Sequence, residues 1–220
     1  MNDNQIIDDS FSILKSALGS EPTGHDHWHG YRVRKLALHI AKEEGVSGKE
    51  SLLVIQLAAL LHDLIDYKLN TGWNEDKLAA WVSERTDAET SRQVMDIIKN
   101  VSFKGAGAAD AMTSIEGKIV QDADRLDALG AIGIARVFAT GAYLFKRPIH
   151  DPDTQPTLHK NEKSYKSRGG EGGSINHFYE KLFLLKDRMH TKAGRRIAEE
   201  REAYMKQYVE RFMQEWEGKE

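Results

Sequence analysis

The residues best suited to chemistry in this sequence are histidines and aspartates that adjoin apolar helical segments. His62 and Asp63 directly follow the apolar run at 52–61. A charged group in so apolar a setting is costly unless an opposite charge lies beside it, and a cation would supply that charge. Because adjacent helical positions differ by about 100°, both side chains can reach one ion beside the helix. Asp66, one turn further on, adds a third polar group to the same flank.

Taken alone, such a dipeptide is more commonly a helix cap beside a satisfied core histidine, so the other histidines matter. His29 continues the apolar stripe of Val33 and Leu36 and therefore points inward. His25 stands one turn earlier, where it would be more exposed, and His27 falls on a different face of the helix. We therefore select His29 as the candidate ligand from this cluster.

A further acidic group lies on an inward-facing line of a later helix. Asp124 follows Val120 by four residues and precedes Asp127 by three, so it again requires a counter-charge. Arg125 points about 100° away from Asp124. Like Arg32, it could contact a carboxylate or phosphate, although a surface ion pair explains Arg125 equally well.

Together these residues form a mixed nitrogen and oxygen ligand set, typical of borderline to hard divalent ions. Its members are His29, His62, Asp63 and Asp124. The chain has no cysteine, which excludes thiolate zinc sites, iron–sulfur clusters and cysteine nucleophiles. With two negative ligands on one dication, a bound water would have a lowered pKa and supply hydroxide at neutral pH. The chemistry indicated is hydrolysis.

The rest of the sequence predicts an all-α protein that positions these groups. A chain of 220 residues with 40% hydrophobic residues has apolar material for one sizeable core, so we expect a single domain, 1–220. None of the four prolines lies between 23 and 147, and apolar residues recur every three to four positions. The predicted helices lie near 3–18, 26–45, 48–66, 75–86, 89–100, 115–128, 130–144, 175–190 and 192–217.

Two segments carry open alternatives. The glycine- and proline-bearing stretch at 146–174 predicts a mobile loop, either a basic lid over an anionic substrate or a solvated linker. In the last helix Tyr204, Tyr208, Phe212 and Trp216 recur every four residues. Such a stripe more often packs on the core, and if it does not, it could mediate a homodimer.

Charge and hydropathy exclude other classes of partner. Lys and Arg number 31 against 34 Asp and Glu, and this net charge of −3 does not favour a nucleic acid scaffold. The longest apolar run is half the ~20 residues that a membrane span needs. The first twenty residues are polar and acidic without a secretory pattern, so we expect a cytoplasmic protein with no membrane partner.

With this pattern of histidines and aspartates in a helical chain, the sequence resembles the HD-domain metal-dependent phosphohydrolase superfamily. In particular it resembles a bacterial branch that includes nucleotide pyrophosphohydrolases. The resemblance covers about 20–205. It rests on His29-Gly30-Tyr31-Arg32-Val33, on Leu60-Leu61-His62-Asp63-Leu64-Ile65-Asp66-Tyr67-Lys68, and on the segments 101–105, 118–134 and 174–182.

The resemblance implies a role for each matching residue. It assigns metal ligation to His29, His62, Asp63 and Asp124, and gives Asp66 the orientation or deprotonation of the attacking water. Phosphate contacts are implied for Lys68, Asn176, His177, Tyr179 and Lys181, to which we add Arg32 and Arg125 as substrate contacts. Two-metal relatives carry extra histidines after the dipeptide, and this chain has none from 64 to 149. One divalent ion is therefore expected, manganese first, with magnesium, nickel, iron, cobalt or zinc as alternatives.

The expected activity is hydrolysis of nucleoside or deoxynucleoside triphosphates to monophosphate and pyrophosphate. A 5′-nucleotidase acting on monophosphates could use the same site. A sensory module that binds nucleotide and metal without turnover is the alternative from another class. A purely structural helical protein would leave the inward His29, Asp63 and Asp124 unexplained.

Overall fold

The computed structural model describes residues 2–66, 69–102, 111–158 and 172–219. Within these ranges the chain forms nine α-helices and no strand, which confirms the all-α prediction. The helices are α1 (Asp3–Leu18), α2 (His27–Glu43), α3 (Lys49–Leu61), α4 (Glu75–Ser83), α5 (Ala88–Asn100), α6 (Ile115–Asp127), α7 (Gly130–Phe145), α8 (Asn176–Glu180) and α9 (Lys192–Trp216).

Side-chain caps fix where five of these helices begin. The side chains of Asn2, Asp26, Asn74, Asp87 and Thr191 each accept a hydrogen bond from a backbone N–H in the first turn. Such residues satisfy amides that have no partner inside the helix. The starts of these helices accordingly lie within one residue of their predicted positions.

The predicted helix 48–66 is shorter than expected, because α3 ends at Leu61. A 3₁₀ turn, His62–Ile65, follows it, and Asp66 has extended backbone with φ −67° and ψ 123°. The Leu64 carbonyl accepts from the Thr71 hydroxyl at 2.5 Å instead of from a helical amide. The α-helical flank on which we placed Asp66 therefore does not reach that residue, and this part of the prediction was wrong.

The predicted helix 175–190 is also interrupted. After α8, two 3₁₀ turns at Leu182–Leu184 and Lys186–Arg188 continue the chain. Lys181 breaks the α-helix with φ −139° and ψ −54°. The apolar side chains at 178, 182, 185 and 189 are all buried, and their spacing fits α and 3₁₀ geometry alike over so few turns. Periodicity therefore could not distinguish the two.

Contacts along the chain define two compact units. Of the described residues, 2–66, 69–102 and 111–124 form one unit, and 125–158 and 172–219 form the other. The single domain 1–220 stays a prediction. In the first unit α3 packs against α1, α2 and α5. Its side chains from Leu53 to Leu61 are buried except Gln56, which explains why this stretch is so apolar.

In the second unit α7 packs on α9, and an aromatic cluster lies at its core. The Phe178 ring centroid is 6.3 Å from that of Phe138 and 6.2 Å from that of Tyr208. From the predicted stripe of the last helix, the half-buried Tyr208 thus contacts the buried Phe178. Tyr204 and Trp216 are about half exposed, at 51% and 48%.

The ends of the predicted loop 146–174 are held by backbone hydrogen bonds. The backbone N–H of Ser174 donates to the Pro148 carbonyl oxygen at 2.9 Å, and that of Ile175 donates to the Ile149 carbonyl oxygen at 3.1 Å. These bonds tie the described ends of the loop together, while 159–171 lies outside the described residues.

Taken singly, no helix of the described ranges combines the length and apolar character that a membrane crossing requires. By length and composition alone, α6 and α7 would meet the requirement as a bent pair.

Gly30 of α2 packs closely against α1 and α3, so we expect a side chain at this position to lower stability. A Cβ at this position would lie 2.5 Å from the Leu14 Cδ2 atom and 3.3 Å from the Leu60 carbonyl oxygen. We expect Gly30→Ala to lower the free energy of unfolding by about 1–3 kcal/mol, measured by urea denaturation. The matched control is Gly48→Ala, whose Cβ would meet nothing closer than 3.7 Å. Equal losses in the two variants would contradict close packing at Gly30.

Candidate metal centre

His29 enters the site because of how α2 begins. The backbone N–H of His29 donates to the Asp26 side chain at 3.0 Å. The candidate ligand therefore also makes the hydrogen bond that caps the N-terminus of α2. Its side chain is almost completely buried, at 1% exposure. The inward orientation predicted from the apolar stripe is therefore observed.

His62 is oriented by the end of α3. Its Nδ1 atom lies 3.0 Å from the Ala59 carbonyl oxygen, which can only accept, so Nδ1 carries the proton of that hydrogen bond. In the neutral ring this leaves Nε2 with a free lone pair. A backbone carbonyl that fixes the ring of a metal-binding histidine in this way is a common outer contact of metal sites.

In the first unit, the carboxylates of Asp63 and Asp124 lie close to the Nε2 atoms of His29 and His62. The Nε2 atoms of His29 and His62 are 3.2 Å apart. Asp124 Oδ1 lies 3.3 Å from the former and 3.6 Å from the latter. The Asp63 carboxylate oxygens lie 3.5 Å from His29 Nε2 and 3.3 Å from His62 Nε2. Ligands that share one ion at 2.0–2.2 Å and at right angles are themselves about 3 Å apart.

A divalent ion fits these residues. Within the described part of the chain, His29, His62 and Asp124 form a group whose ligand atoms lie within 4.8 Å of one another and could hold a metal. Asp63 lies beside them, and its buried Oδ2 atom has no hydrogen-bond donor among the residues that the structure describes. A buried carboxylate oxygen without a donor is costly, and a cation at this position would satisfy it.

The electrostatics of the site also favour positive charge. Burial lowers the pKa of His62, but the carboxylates of Asp63 and Asp124 outweigh it and raise that pKa to about 9. Burial opposes ionisation of Asp124, yet hydrogen bonds from His29 and His62 hold its pKa well below the usual range. Both carboxylates draw a cation toward the point where the imidazoles meet.

Supporting residues around the ligands gave no signal in the sequence analysis. Gln121, one turn before Asp124 on α6, is buried and donates from Nε2 to the carbonyls of Asn100 and Val101, each at 3.1 Å. These bonds tie α6 to the end of α5 within the first unit. The positions one turn from Gln121 include Lys118, Asp124 and Arg125, so no apolar stripe marks this glutamine, and only the structure shows its partners.

Of the remaining histidines in the α2 cluster, His25 is more exposed than His29, as predicted, whereas His27 is buried. His25 is half-buried, with Nδ1 3.0 Å from the Thr23 hydroxyl and its ring centroid 5.9 Å from that of His29. His27 is buried at 7% exposure against Phe11, with ring centroids 5.8 Å apart. Neither is a member of the three-residue group.

Of the residues predicted to act on water and phosphate in the first unit, two are described. Asp66 is half-buried at the end of the 3₁₀ turn, where its N–H donates to the Asp63 carbonyl at 3.2 Å. Arg32 is half-buried on α2, three residues after His29. Lys68 lies outside the described residues. The roles of all three stay predictions.

The predicted substrate contacts of the second unit occupy varied environments. Arg125 is buried and donates to the Arg188 carbonyl at 2.5 Å, which gives it a structural role within its unit. Asn176 is buried and donates to the Thr154 carbonyl at 2.8 Å. His177 and Lys181 are half-buried, and Tyr179 is 45% exposed. None of these observations tests substrate binding.

Comparison with known proteins identifies the family. The HD-domain model matches residues 28–129, a range that contains all four candidate ligands. A solved HD-superfamily hydrolase from Bacillus thuringiensis is 39% identical, with a TM-score of 0.72 and coverage of 98% of this chain and 99% of that one. The chain belongs to the HD superfamily of hydrolases.

Two further relatives of this HD-superfamily chain extend over nearly its whole length. Bacillus subtilis YpgQ is 37% identical over 93% of this chain and 91% of its own length. The structure of YpgQ in complex with ADP superposes with a TM-score of 0.71, at 32% identity and 97% coverage of each chain. A Lactobacillus plantarum protein gives a TM-score of 0.84, at 33% identity and coverage of 99% and 100%.

The geometry predicts that His62 and Asp124 are each required for metal binding. We expect His62→Ala and Asp124→Ala to weaken manganese binding at least about a hundredfold, because each removes a donor atom that the others cannot replace. Isothermal titration calorimetry of manganese into metal-free protein measures this.

The control for this titration is His39→Ala, which removes an exposed histidine paired with Glu43 on the same α2 helix. Its manganese affinity should equal that of the wild type. Wild-type affinity in His62→Ala would contradict the assignment.

Proposed function

We propose that this HD-superfamily hydrolase is a metal-dependent phosphohydrolase that cleaves nucleoside or deoxynucleoside triphosphates to monophosphate and pyrophosphate. The observation that carries the proposal is the convergence of two imidazoles and two carboxylates of the first unit. The metal ligands in this proposal are His29, His62, Asp63 and Asp124.

The donor set supports hydrolysis in particular. A divalent ion held there lowers the pKa of a bound water and supplies a nucleophile at neutral pH. The two aspartates would nearly neutralise the charge of such an ion. The four protein ligands would leave its remaining coordination positions to water and substrate. The hydrogen bond from His62 Nδ1 to the Ala59 carbonyl keeps one donor nitrogen directed at the site without further rearrangement.

The choice of a nucleotide substrate has separate support. The YpgQ complex contains ADP, and this chain is similar to YpgQ over almost its full length. The sequence resemblance to pyrophosphohydrolases further favours the triphosphate as substrate. Cationic side chains offset charge on phosphoryl oxygens during such reactions, and Lys68, Arg125 and Lys181 are our candidates for that role.

We assign one metal ion to the site and expect manganese to support the highest activity. Within the described ranges, one group of three histidine or carboxylate residues lies close enough to share an ion. Nitrogen and oxygen donors also accept magnesium, nickel, iron, cobalt or zinc, so activity should respond to which ion is supplied.

The proposal is tested by product analysis on a nucleotide panel. Protein reconstituted with manganese is incubated with mono-, di- and triphosphates of each nucleoside and deoxynucleoside, and pyrophosphate and orthophosphate are both quantified. We expect equimolar monophosphate and pyrophosphate from triphosphates. Orthophosphate from monophosphates would instead establish a nucleotidase, and tight nucleotide binding without products would indicate a sensory module.

Asp66 should affect turnover without affecting the metal. In our proposal this residue orients or deprotonates the attacking water, so Asp66→Asn should lower kcat by about a hundredfold or more. The manganese affinity, measured by calorimetry, should remain within about threefold of wild type, because the four ligands stay intact. A parallel loss of manganese binding would assign Asp66 to the metal shell instead.

A further inference from the structure

A series of hydrogen bonds in the loop between α1 and α2 ends at an imidazole beside the metal centre. The Thr23 hydroxyl oxygen lies 2.6 Å from Glu21 Oε1 and 3.0 Å from His25 Nδ1. Glu21 Oε2 also accepts from the backbone N–H groups of Thr23 and His25, each at 2.9 Å. Thr23 is completely buried, and the other two residues are half-buried. One carboxylate therefore organises the segment 21–25 of the first unit.

The chemistry of these groups decides which atom donates in each bond. A carboxylate can only accept, so the Thr23 hydroxyl donates its proton to Glu21. The hydroxyl oxygen then accepts from His25, whose Nδ1 atom must carry the proton of that bond. In the neutral ring this leaves the lone pair on Nε2, the same tautomer as that of His62. Because the bond to the carboxylate is charge-assisted, the imidazole is held in one orientation.

Glycine permits the backbone turn on which these bonds depend. Gly24 has φ +84°, in the left-handed region that other residues seldom adopt. This conformation allows the N–H groups on either side of Gly24 to donate to the same carboxylate oxygen. The arrangement is therefore built within five residues, before α2 begins at His27.

The imidazole of His25 contacts that of the candidate ligand His29. The two ring centroids are 5.9 Å apart, and the ring planes make an angle of 64°. Such an edge-on arrangement is favourable for aromatic rings and limits rotation of either ring. The backbone N–H of His29 is held separately by the Asp26 side chain. The cap thus fixes the backbone of His29, while His25 restrains the ring that bears the donor nitrogen.

We propose that Glu21, Thr23 and His25 form a positioning relay for the metal centre. The carboxylate and the hydroxyl fix the His25 ring, and that ring holds His29 with its Nε2 atom toward the ion. Outer groups that orient a ligand strengthen metal binding, because less conformational freedom is lost when the ion binds. The inference rests on the metal centre of the proposed function, and it does not depend on which nucleotide is the substrate.

Manganese titration of Thr23 variants tests the relay. Thr23→Val keeps the shape of the side chain but removes the hydroxyl, and it should weaken manganese binding about threefold to tenfold in calorimetry. Thr23→Ser retains the hydroxyl and should bind manganese as the wild type does. The matched control is Thr90→Val, which removes a similar bond from a buried hydroxyl to the Asp87 carboxylate, 2.7 Å long, at the start of α5. Its manganese affinity should equal that of the wild type.

A double-variant cycle tests whether Thr23 acts through His25. His25→Ala should itself weaken manganese binding about threefold to tenfold, and adding Thr23→Val should cause no further loss. Nitrogen NMR of the imidazoles in metal-free protein at mildly alkaline pH gives a readout that general destabilisation would not change. His25 should be protonated at Nδ1 in the wild type and should lose that preference in Thr23→Val.

The outcomes separate failure of the relay from failure of the proposed function. Wild-type manganese affinity in Thr23→Val, or an equal loss in Thr90→Val, would overturn the relay even if His62→Ala abolishes binding. Additive losses in the double variant, or His25 protonated at Nε2, would also overturn it. A wild type that binds no manganese would overturn both the relay and the metal centre. A nucleotide panel without products would overturn the proposed reaction and not the relay.

Discussion

The first unit depends on the electrostatics of burying two carboxylates beside two imidazoles. Asp63 is buried and Asp124 is three-quarters buried, so neither can be stabilised by water alone. Their negative charge raises the pKa of His62 to about 9, despite the burial that lowers it. A cation, whether a proton or a metal ion, is thus required at the point where these groups meet, and the geometry suits a metal ion.

The apolar core and the site are built by the same helix. α3 packs against three neighbouring helices through its buried residues, and His62 directly follows its last residue, Leu61. The absence of a side chain at Gly30 allows α2 to approach the Leu60 carbonyl closely. The separation of the His29 and His62 nitrogens therefore reflects helix packing, so substitutions that move α2 should also alter the site.

The sequence was sufficient to predict helix starts and the inward orientation of His29. The starts were predicted from where the apolar periodicity begins, and the structure shows that local caps such as Asp26 and Asp87 lie at the same positions. The candidate ligands were selected because polar groups extend apolar stripes, as at His29. These signals depend on a few neighbouring positions, and the structure preserves them.

Features that depend on tertiary contacts could not be predicted in this way. The chain changes from α-helix to a 3₁₀ turn after Leu61, and the Leu64 carbonyl in that turn accepts from the Thr71 hydroxyl, seven residues further along. The buried Arg125 proved to donate to the Arg188 carbonyl, a partner far away in sequence. Gln121 likewise binds the end of α5. In each case the decisive partner is distant or conformational, and composition and periodicity do not encode it.

The most direct test of the account is the anomalous difference density of manganese in crystals of the protein. We predict one strong peak about 2.0–2.3 Å from the Nε2 atoms of His29 and His62 and from carboxylate oxygens of Asp63 and Asp124. Absence of manganese from these four side chains in well-ordered crystals, or its binding at a different place, would contradict the central claim.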